Sequence, residues 1–597
     1  MQQTNAKRQK AILLLFALLS LLAVIPKLFV GFDIDEGYAV AMPYRLLQGD
    51  RLFGEMWEIH QTSALLPALL MKPYIALTGG TEGVVLYLRF VAALIHTFMT
   101  CVFYAVAKNT LPAGENIEDN TKAVILAALL YFNILPKWLL NLDFSMQQLW
   151  GLTLICGLLI LEERQKKAYV SLLTGAALSL TVLGYPGMIV LYPAILCIYL
   201  IIDKDNEIKF RIKKCIYLTL ACSILAAAFL AYVISGEGMA GFTRGLTNIF
   251  SDGTHSLSKD QQLLLDLSRI LNLAKQWIVF LAAALMASAL VGAACYAIRK
   301  RKAPEADRGD MESVSFNAKG IFDIRNITRY VAVVTSLLII FGQLVGIRMG
   351  PFHFQSRFLL LFVLIWILCY KERRRETSEK MLFVILLLTT VAFAGILLFS
   401  NVGPDASGSY LSIGLILGLV AFLPGGEEHR GFLPGAAILL FLLSVIMSKG
   451  FYVRYTEYFP ADILQKRVAV TAGPLKGIRL LEQDAEMEQE ERDMVAGTTK
   501  PGQICALLGT DQILNLSMQG KAEPVSTIST PAFNGQWITY YECYPELLPD
   551  VIFIAKNTVD DRQKFFEKNE FGIWLAERYD IANMEENGAL CRIERSN

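Results

Sequence analysis

Residues 64–78 read ALLPALLMKPYIALT, and whether this run crosses a membrane decides the fold. It is apolar but only about fifteen residues long, and Pro67, Lys72 and Pro73 interrupt it. A helix needs ~20 apolar residues to cross a hydrocarbon core ~30 Å thick. The run is therefore expected to be an interfacial or re-entrant helix.

The surrounding chain agrees. Its 597 residues are 54% hydrophobic with a mean hydropathy of +0.45, which excludes an ordinary soluble protein. Thirteen spans are expected, at 11–31, 84–107, 122–140, 145–161, 168–184, 186–202, 215–234, 273–298, 329–347, 358–370, 381–399, 410–423 and 432–448. In lipid every backbone polar group must be satisfied within the segment, so these runs are helices. The first follows Lys7, Arg8 and Lys10, lacks a clear small-x-small cleavage site and reads as an uncleaved span.

Basic connections (162–167, 203–214, 299–329 and 371–380) alternate with connections much poorer in Lys and Arg (184–187, 235–272, 348–357 and 400–409). Short basic loops mark the cytoplasmic side. The pattern predicts a plasma-membrane protein with a cytoplasmic N-terminus and an extracytoplasmic C-terminus. If 64–78 crossed as well, every later basic loop would face outward. Residues 32–83 then form one long external loop. The net charge of +1 gives no reason to expect nucleic acid as a partner. The ten cysteines show no spacing suited to a metal and read as buried and structural.

The external loop opens with DIDEGYAVAMPYRLLQGDRLFGEMWEIHQ, residues 33–61, placing Asp33, Asp35 and Glu36 within four positions just beyond the first span. Carboxylates at a bilayer rim are costly to desolvate and are commonly functional; the alternative is a hydrated turn. Other outer segments offer Lys137 and Asp143 (136–148), Arg348, His353 and Arg357 (348–357), and a Gly-rich then polar stretch, 235–272, that reads as a lid. Each basic residue has an alternative as an interfacial anchor. Domain boundaries follow the composition: 1–448 is the membrane part and 449–597 an extracytoplasmic α/β domain. In the latter, apolar strand-like runs at 504–508 and 551–554 alternate with helical patterns, and an acid-rich helix is expected at 478–495. Its three cysteines, Cys505, Cys543 and Cys591, allow one disulfide.

Asp35-Glu36-Gly37-Tyr38, followed by Arg45-Leu46-Leu47-Gln48-Gly49-Asp50, resembles the Asp-Glu-x-x-Tyr and Leu-x-x-Gly-Asp-Trp pattern opening the first external loop of GT-C glycosyltransferases. The likeness is greatest to the branch holding protein O-mannosyltransferases and bacterial aminoarabinose transferases of lipid A. The short apolar helix, the Gly79-Gly80 turn, Arg89 at the head of the next span, the span count and the external C-terminal domain share that layout. Three positions depart from it. Tyr38 stands one residue closer to the acids, His60-Gln61-Thr62-Ser63 replaces Lys-Pro-Pro, and Arg89-Phe90-Val91 replaces Arg-Leu-Pro.

The resemblance implies a membrane-embedded, inverting transferase. It would move a sugar from a polyprenyl-phosphate carrier to a hydroxyl of a glycan, glycolipid or protein. Asp35 is the expected base, with Glu36 holding it or the acceptor in place and Asp33 an alternative base. Arg357, Arg348 and Lys72 are expected at the donor phosphate, and Tyr38, His60, Gln61, Asp143 and His353 at substrate. The resemblance leaves a divalent metal open, since some members use one and others do not. The competing reading is a multi-pass transporter or lipid flippase, but such proteins usually carry ionisable groups near the membrane midplane. Here the span interiors are almost free of charge.

Overall fold

The computed structural model describes residues 2–111, 117–138, 140–249, 259–302, 323–345, 351–371, 377–399, 403, 408–423, 432–450, 452–455, 459–462, 465–528, 534–556, 558–559, 561–587 and 589–596. Each of the thirteen expected spans overlaps a helix over most of its described residues. In chain order the helices of the membrane part are α1 (Gln2–Val24), α2 (Ile34–Gln48), α3 (Leu65–Thr78), α4 (Val84–Thr110), α5 (Ile117–Phe132), α6 (Phe144–Gln165), α7 (Val170–Gly184) and α8 (Leu191–Cys197). They continue with α9 (Ile208–Ile249), α10 (Lys259–Lys302), α11 (Ile324–Leu344), α12 (Pro351–Lys371), α13 (Thr377–Phe399), α14 (Ser412–Phe422) and α15 (Phe432–Gly450). Among the described residues, seven helical segments are long and apolar enough to cross a membrane, and five shorter apolar helical segments accompany them. One continuous apolar core, running from Phe103 and Leu130 through Leu152, Leu361 and Leu386 to Leu442, joins them.

The run that decides the topology is α3, fourteen residues closed by Gly79 in the left-handed region at φ 75°. At 1.5 Å per residue it is roughly 21 Å long, too short to cross. Pro67, Ala68 and Met71 are buried on its inner face, while Leu69 and Leu77 are 70% and 88% exposed. It packs along α2 and α4, where Tyr74 stacks on Tyr87 at 4.5 Å.

Three expectations are corrected. The span expected over 122–140 ends at Phe132: Asn133 donates its amide to the Leu129 carbonyl and to Ser20, and Pro136 cannot continue a helix. The stretch read as a lid is helical as far as it is described. Helix α9 is broken at Gly238 (φ 69°, ψ 171°) and runs on to Ile249. Gly241 and Gly245, one turn apart, give that last segment a bare face, and Gly245 lies directly against the Phe53 carbonyl. Residues 250–258 lie outside the described residues. Finally, α12 begins at Pro351, so most of the segment expected as a loop over 348–357 is helix; Pro is well suited to a first helical position.

Beyond α15 come a hairpin, β1 (Tyr452–Tyr455) with β2 (Phe459–Asp462), and a short pair, β3 (Val468–Ala469) with β4 (Arg479–Leu480). Helix α16 (Glu482–Thr498) covers most of the acid-rich run, but Arg479 and Leu480 at its start are strand. The α/β unit then has β5 (Ile504–Leu508), β6 (Lys521–Ala522), α17 (Asn534–Cys543), β7 (Val551–Ala555), α18 (Arg562–Lys568), α19 (Glu570–Ala576), β8 (Glu585–Glu586) and β9 (Leu590–Glu594). Its sheet is ordered β6-β5-β7-β9-β8, with β5 parallel to β6 and β7, and β9 antiparallel to its neighbours. Both faces are covered: Trp537, Tyr540 and Phe571 pack with Leu508 and Ile552, and Leu514 packs with Leu507 and Phe553. Such burial explains why β5 and β7 read as continuous apolar runs. Cys505, Cys543 and Cys591 are unbonded thiols.

This domain is fastened to the first loop. The Gly31 amide donates to the Arg479 carbonyl at 3.0 Å, and the Arg479 amide to the Phe29 carbonyl at 2.6 Å. Gly83 and Val85 donate to Gly473 and Pro474, and Trp57 to Val525. First loop and C-terminal domain therefore lie at the same end of the bundle.

Candidate active site

The acid cluster is organised by helix α2. Asp33 is its N-cap: the Asp35 amide donates to the Asp33 carboxylate at 2.9 Å, and Asp33 is buried. A capping side chain satisfies one of the first-turn amides, and acids in that turn complement the helix dipole. Glu36 is also buried and meets Arg89 of α4 fork to fork, at 2.6 and 2.5 Å. Arg89 spends its remaining donors on the carbonyls of Lys27, Leu28, Val30 and Gly31, fixing the turn that leads into the acids. Two of the three acids thus build the loop. Asp35, between them, keeps 23% of its side chain exposed.

Opposite Asp35 stands Lys137. Its ammonium lies 3.1 Å from Asp35 and 3.2 Å from Asp143, and 3.9 Å from the centre of the Phe144 ring. Asp143 caps α6 by accepting from the Met146 amide at 2.9 Å. Lys137 sits in the left-handed region (φ 57°, ψ 9°) directly after Pro136. For a residue with a side chain that conformation costs on the order of 1–2 kcal/mol, so the surroundings hold it there. Aromatic rings wall the cluster: His60 stacks on Phe144 (4.0 Å) and lies beside Tyr185 (5.6 Å), which is itself 6.1 Å from Phe144. Tyr410, ahead of α14, is half-buried within electrostatic reach of Lys137, Asp143 and Tyr185. Two carboxylates, one ammonium and an aromatic wall can accept a hydroxyl proton and hold an anion beside it.

A second buried network holds the loop from behind. Arg45 of α2 donates to Asp50 (2.7 Å), Glu58 (3.0 Å) and the Glu55 carbonyl (3.0 Å). Glu58 also accepts from the Thr527 amide at 2.9 Å, and Lys521 lies 3.0 Å from Asp50 and pairs with Glu523. Burial pushes the Glu58 carboxyl up, against the pull of Arg45 and Thr527. Burial, then Asp50, lifts Glu523 to about 7.

The remaining expected site residues are dispersed. Tyr38 is buried with Met42, Leu52, Met56 and Val233; burial, then the Glu58 charge, holds its hydroxyl well above its ordinary range. Gln61 is turned into the loop, accepting from the Phe53 amide (2.7 Å) and donating to the Glu58 carbonyl (3.0 Å), which secures a turn with Phe53 at φ 64°. Lys72 is exposed on α3. Arg357, expected in an outer loop, is on α12 and wholly buried: it donates to Ser444 (2.8 Å) and Ser336 (3.4 Å), with its guanidinium 4.5 Å from the Phe441 ring. Hydroxyls of α11 and α15 and an aromatic face draw it into the bundle. Arg348 lies outside the described residues, as does the side chain of His353. No group of three or more His, Cys, Asp or Glu suited to a metal ion occurs among the described residues.

The sequence places Lys137 at the outer surface with Asp143 but gives it no role, and of the aromatic wall only His60 is assigned from it. A cation following proline in the same segment as Asp143 is the signal that would have paired them.

Residues 62–232 match the family model for dolichyl-phosphate-mannose-protein mannosyltransferase. No curated protein matches. Among solved structures the chain is similar to ArnT from Cupriavidus metallidurans, a crystal structure bound to undecaprenyl phosphate, at 12% identity with 97% of each chain covered and a TM-score of 0.42. Over 62–232, from the middle of the acid-bearing loop through the first spans after it, the chain is thus similar to the mannosyltransferase family whose branch its Asp35–Asp50 motif resembles.

Proposed function

We propose that this protein is a membrane glycosyltransferase that moves a sugar from a polyprenyl-phosphate carrier to an acceptor hydroxyl at the outer face of the membrane, with inversion. The observation that carries the reading is the division of labour among the three acids. Asp33 caps a helix and Glu36 is clamped by Arg89, which leaves Asp35 as the carboxylate with solvent access beside a second carboxylate and a cation. The family match over 62–232 and the apolar helices support the substrate class.

In the proposed step Asp35 accepts the proton of the acceptor hydroxyl. The acceptor oxygen bonds to the anomeric carbon from the face opposite the phosphate. The carbon–oxygen bond to phosphate breaks, and the carrier phosphate leaves with the electron pair. A carboxylate within hydrogen-bond reach of the hydroxyl supplies general-base catalysis, and fixed cations stabilise the charge growing on the leaving oxygen. Lys72 and Arg348 stay candidates for that charge. Arg357 would have to be reached through the bundle, from between Ser336 and Ser444. Glu36 acts through Arg89 by holding the turn. Asp143 and His60 are the proposed acceptor-side contacts.

Purified Asp35→Asn protein, incubated in detergent with polyprenyl-phosphate sugars and acceptor, should insert and fold normally and lose transfer by ~10²-fold or more. Near-normal turnover in that variant would remove Asp35 as the base. Consumption of donor without a gradient across a membrane separates an enzyme from a transporter.

A further inference from the structure

In the structure one ammonium, that of Lys137, is shared by the two site carboxylates, at 3.1 Å from Asp35 and 3.2 Å from Asp143. A carboxylate engaged by an ammonium is a poorer proton acceptor than one that is not. The arrangement is therefore unsuited to base catalysis until the ammonium finds another partner. It is also a cation held ready, on a backbone set in the left-handed region, against an aromatic face and with 18% of its side chain exposed.

We propose that Lys137 is the group the donor's phosphate captures, and that this capture withdraws it from Asp35 and so uncovers the base only when a carrier-borne sugar is bound. The proposal rests on the reading of Asp35 as the base, but its central part, competition between a carboxylate and a phosphate for one ammonium, does not. Asp143 is the group suited to retain Lys137 during the exchange, because its carboxylate is also tied to the first turn of α6 through the Met146 amide. The device would keep the base masked against water whenever no donor is present. Among the charged and titratable groups facing the exchange are Asp143 from the start of α6, His60, Tyr410 and Tyr185 from the wall, and Tyr38 from α2. Lys137 is here a positioning residue for Asp35 and a ligand of the donor.

Binding of radiolabelled farnesyl phosphate to the full-length protein in detergent tests this without knowledge of the sugar. Lys137→Met should weaken binding by ~10-fold or more, and Lys137→Arg should recover part of it. Asp35→Asn should tighten binding by about 3- to 10-fold, because the phosphate's competitor has gone. In the double variant the Asp35→Asn gain should vanish, the mark of coupling through Lys137. Unchanged or weaker binding in Asp35→Asn would overturn the proposal, and this variant leaves Lys137 in place. A gain that persists with Lys137→Met would also overturn it, because the carboxylate would then act by general repulsion. If Asp35→Asn tightens binding yet retains turnover, the exchange stands and the base reading fails.

Discussion

Glu36 and Arg89, fifty-three residues apart, form a two-pronged ion pair with neither side chain more than 1% exposed. Around it Arg89 gathers four carbonyls of the turn between α1 and α2. Removing one partner of a buried pair typically costs about 3–5 kcal/mol, because the other charge is left uncompensated. Arg89→Ala or Glu36→Ala is therefore expected to lower thermal stability in detergent markedly and to abolish transfer together with it. Arg89→Lys should fail as well, since an ammonium cannot reproduce the planar fork.

The same geometry separates Asp33 from Asp35. Asp33→Asn keeps a capping oxygen and should leave both stability and transfer close to wild type. Asp33→Ala loses the cap and should cost about 1 kcal/mol of stability. Loss of transfer in a stable Asp33→Asn protein would show that this acid does more than begin a helix.

Gly245 makes a sharper case. A Cβ there would lie 1.6 Å from the Phe53 carbonyl oxygen. Gly245→Ala is expected to detach the last segment of α9 from the first loop, seen as new proteolytic cleavage near Gly238 and a weakened Arg51–Glu237 contact, now 2.7 Å. Gly238→Ala, at φ 69°, should be strained without a clash and give a milder effect.

Docking of the C-terminal domain is expected to depend on pH through Glu523. Its carboxyl rises from an ordinary 4.5 to about 7 when buried against the first loop. The docked state thus holds the proton more tightly. The contribution is full below about 4.5 and is lost as pH rises through about 7. Thermal melts between pH 5 and 8 should fall across that window, and Glu523→Gln should flatten them.

Much of the architecture was legible because lipid imposes a simple grammar. Apolar length located the expected spans on helices over most of their described residues, and charge bias kept 64–78, the fourteen-residue α3, out of the span count. The exceptions are local. Helix α5 stops early because Pro136 lies ahead, and the Gly-rich end of α9 is a helix whose Gly245 allows close contact with Phe53. Within the site, the placement of the acids was readable but their separate tasks were not. Whether an acid caps a helix or meets an arginine depends on partners far along the chain. Arg357 shows the limit most clearly: its sequence neighbours suggest a loop, while Ser336 and Ser444 fix it inside the bundle. Lys137 was in plain view in the sequence, but its left-handed backbone and its two carboxylates are tertiary facts.

The backbone pairing of Phe29 and Gly31 with Arg479 has a bearing on biosynthesis. The ribosome makes the acid-bearing turn long before the strand that completes it, which follows α15. A nascent or truncated chain carries Asp35 yet lacks its backing, so premature release would yield an inert protein instead of an unregulated one.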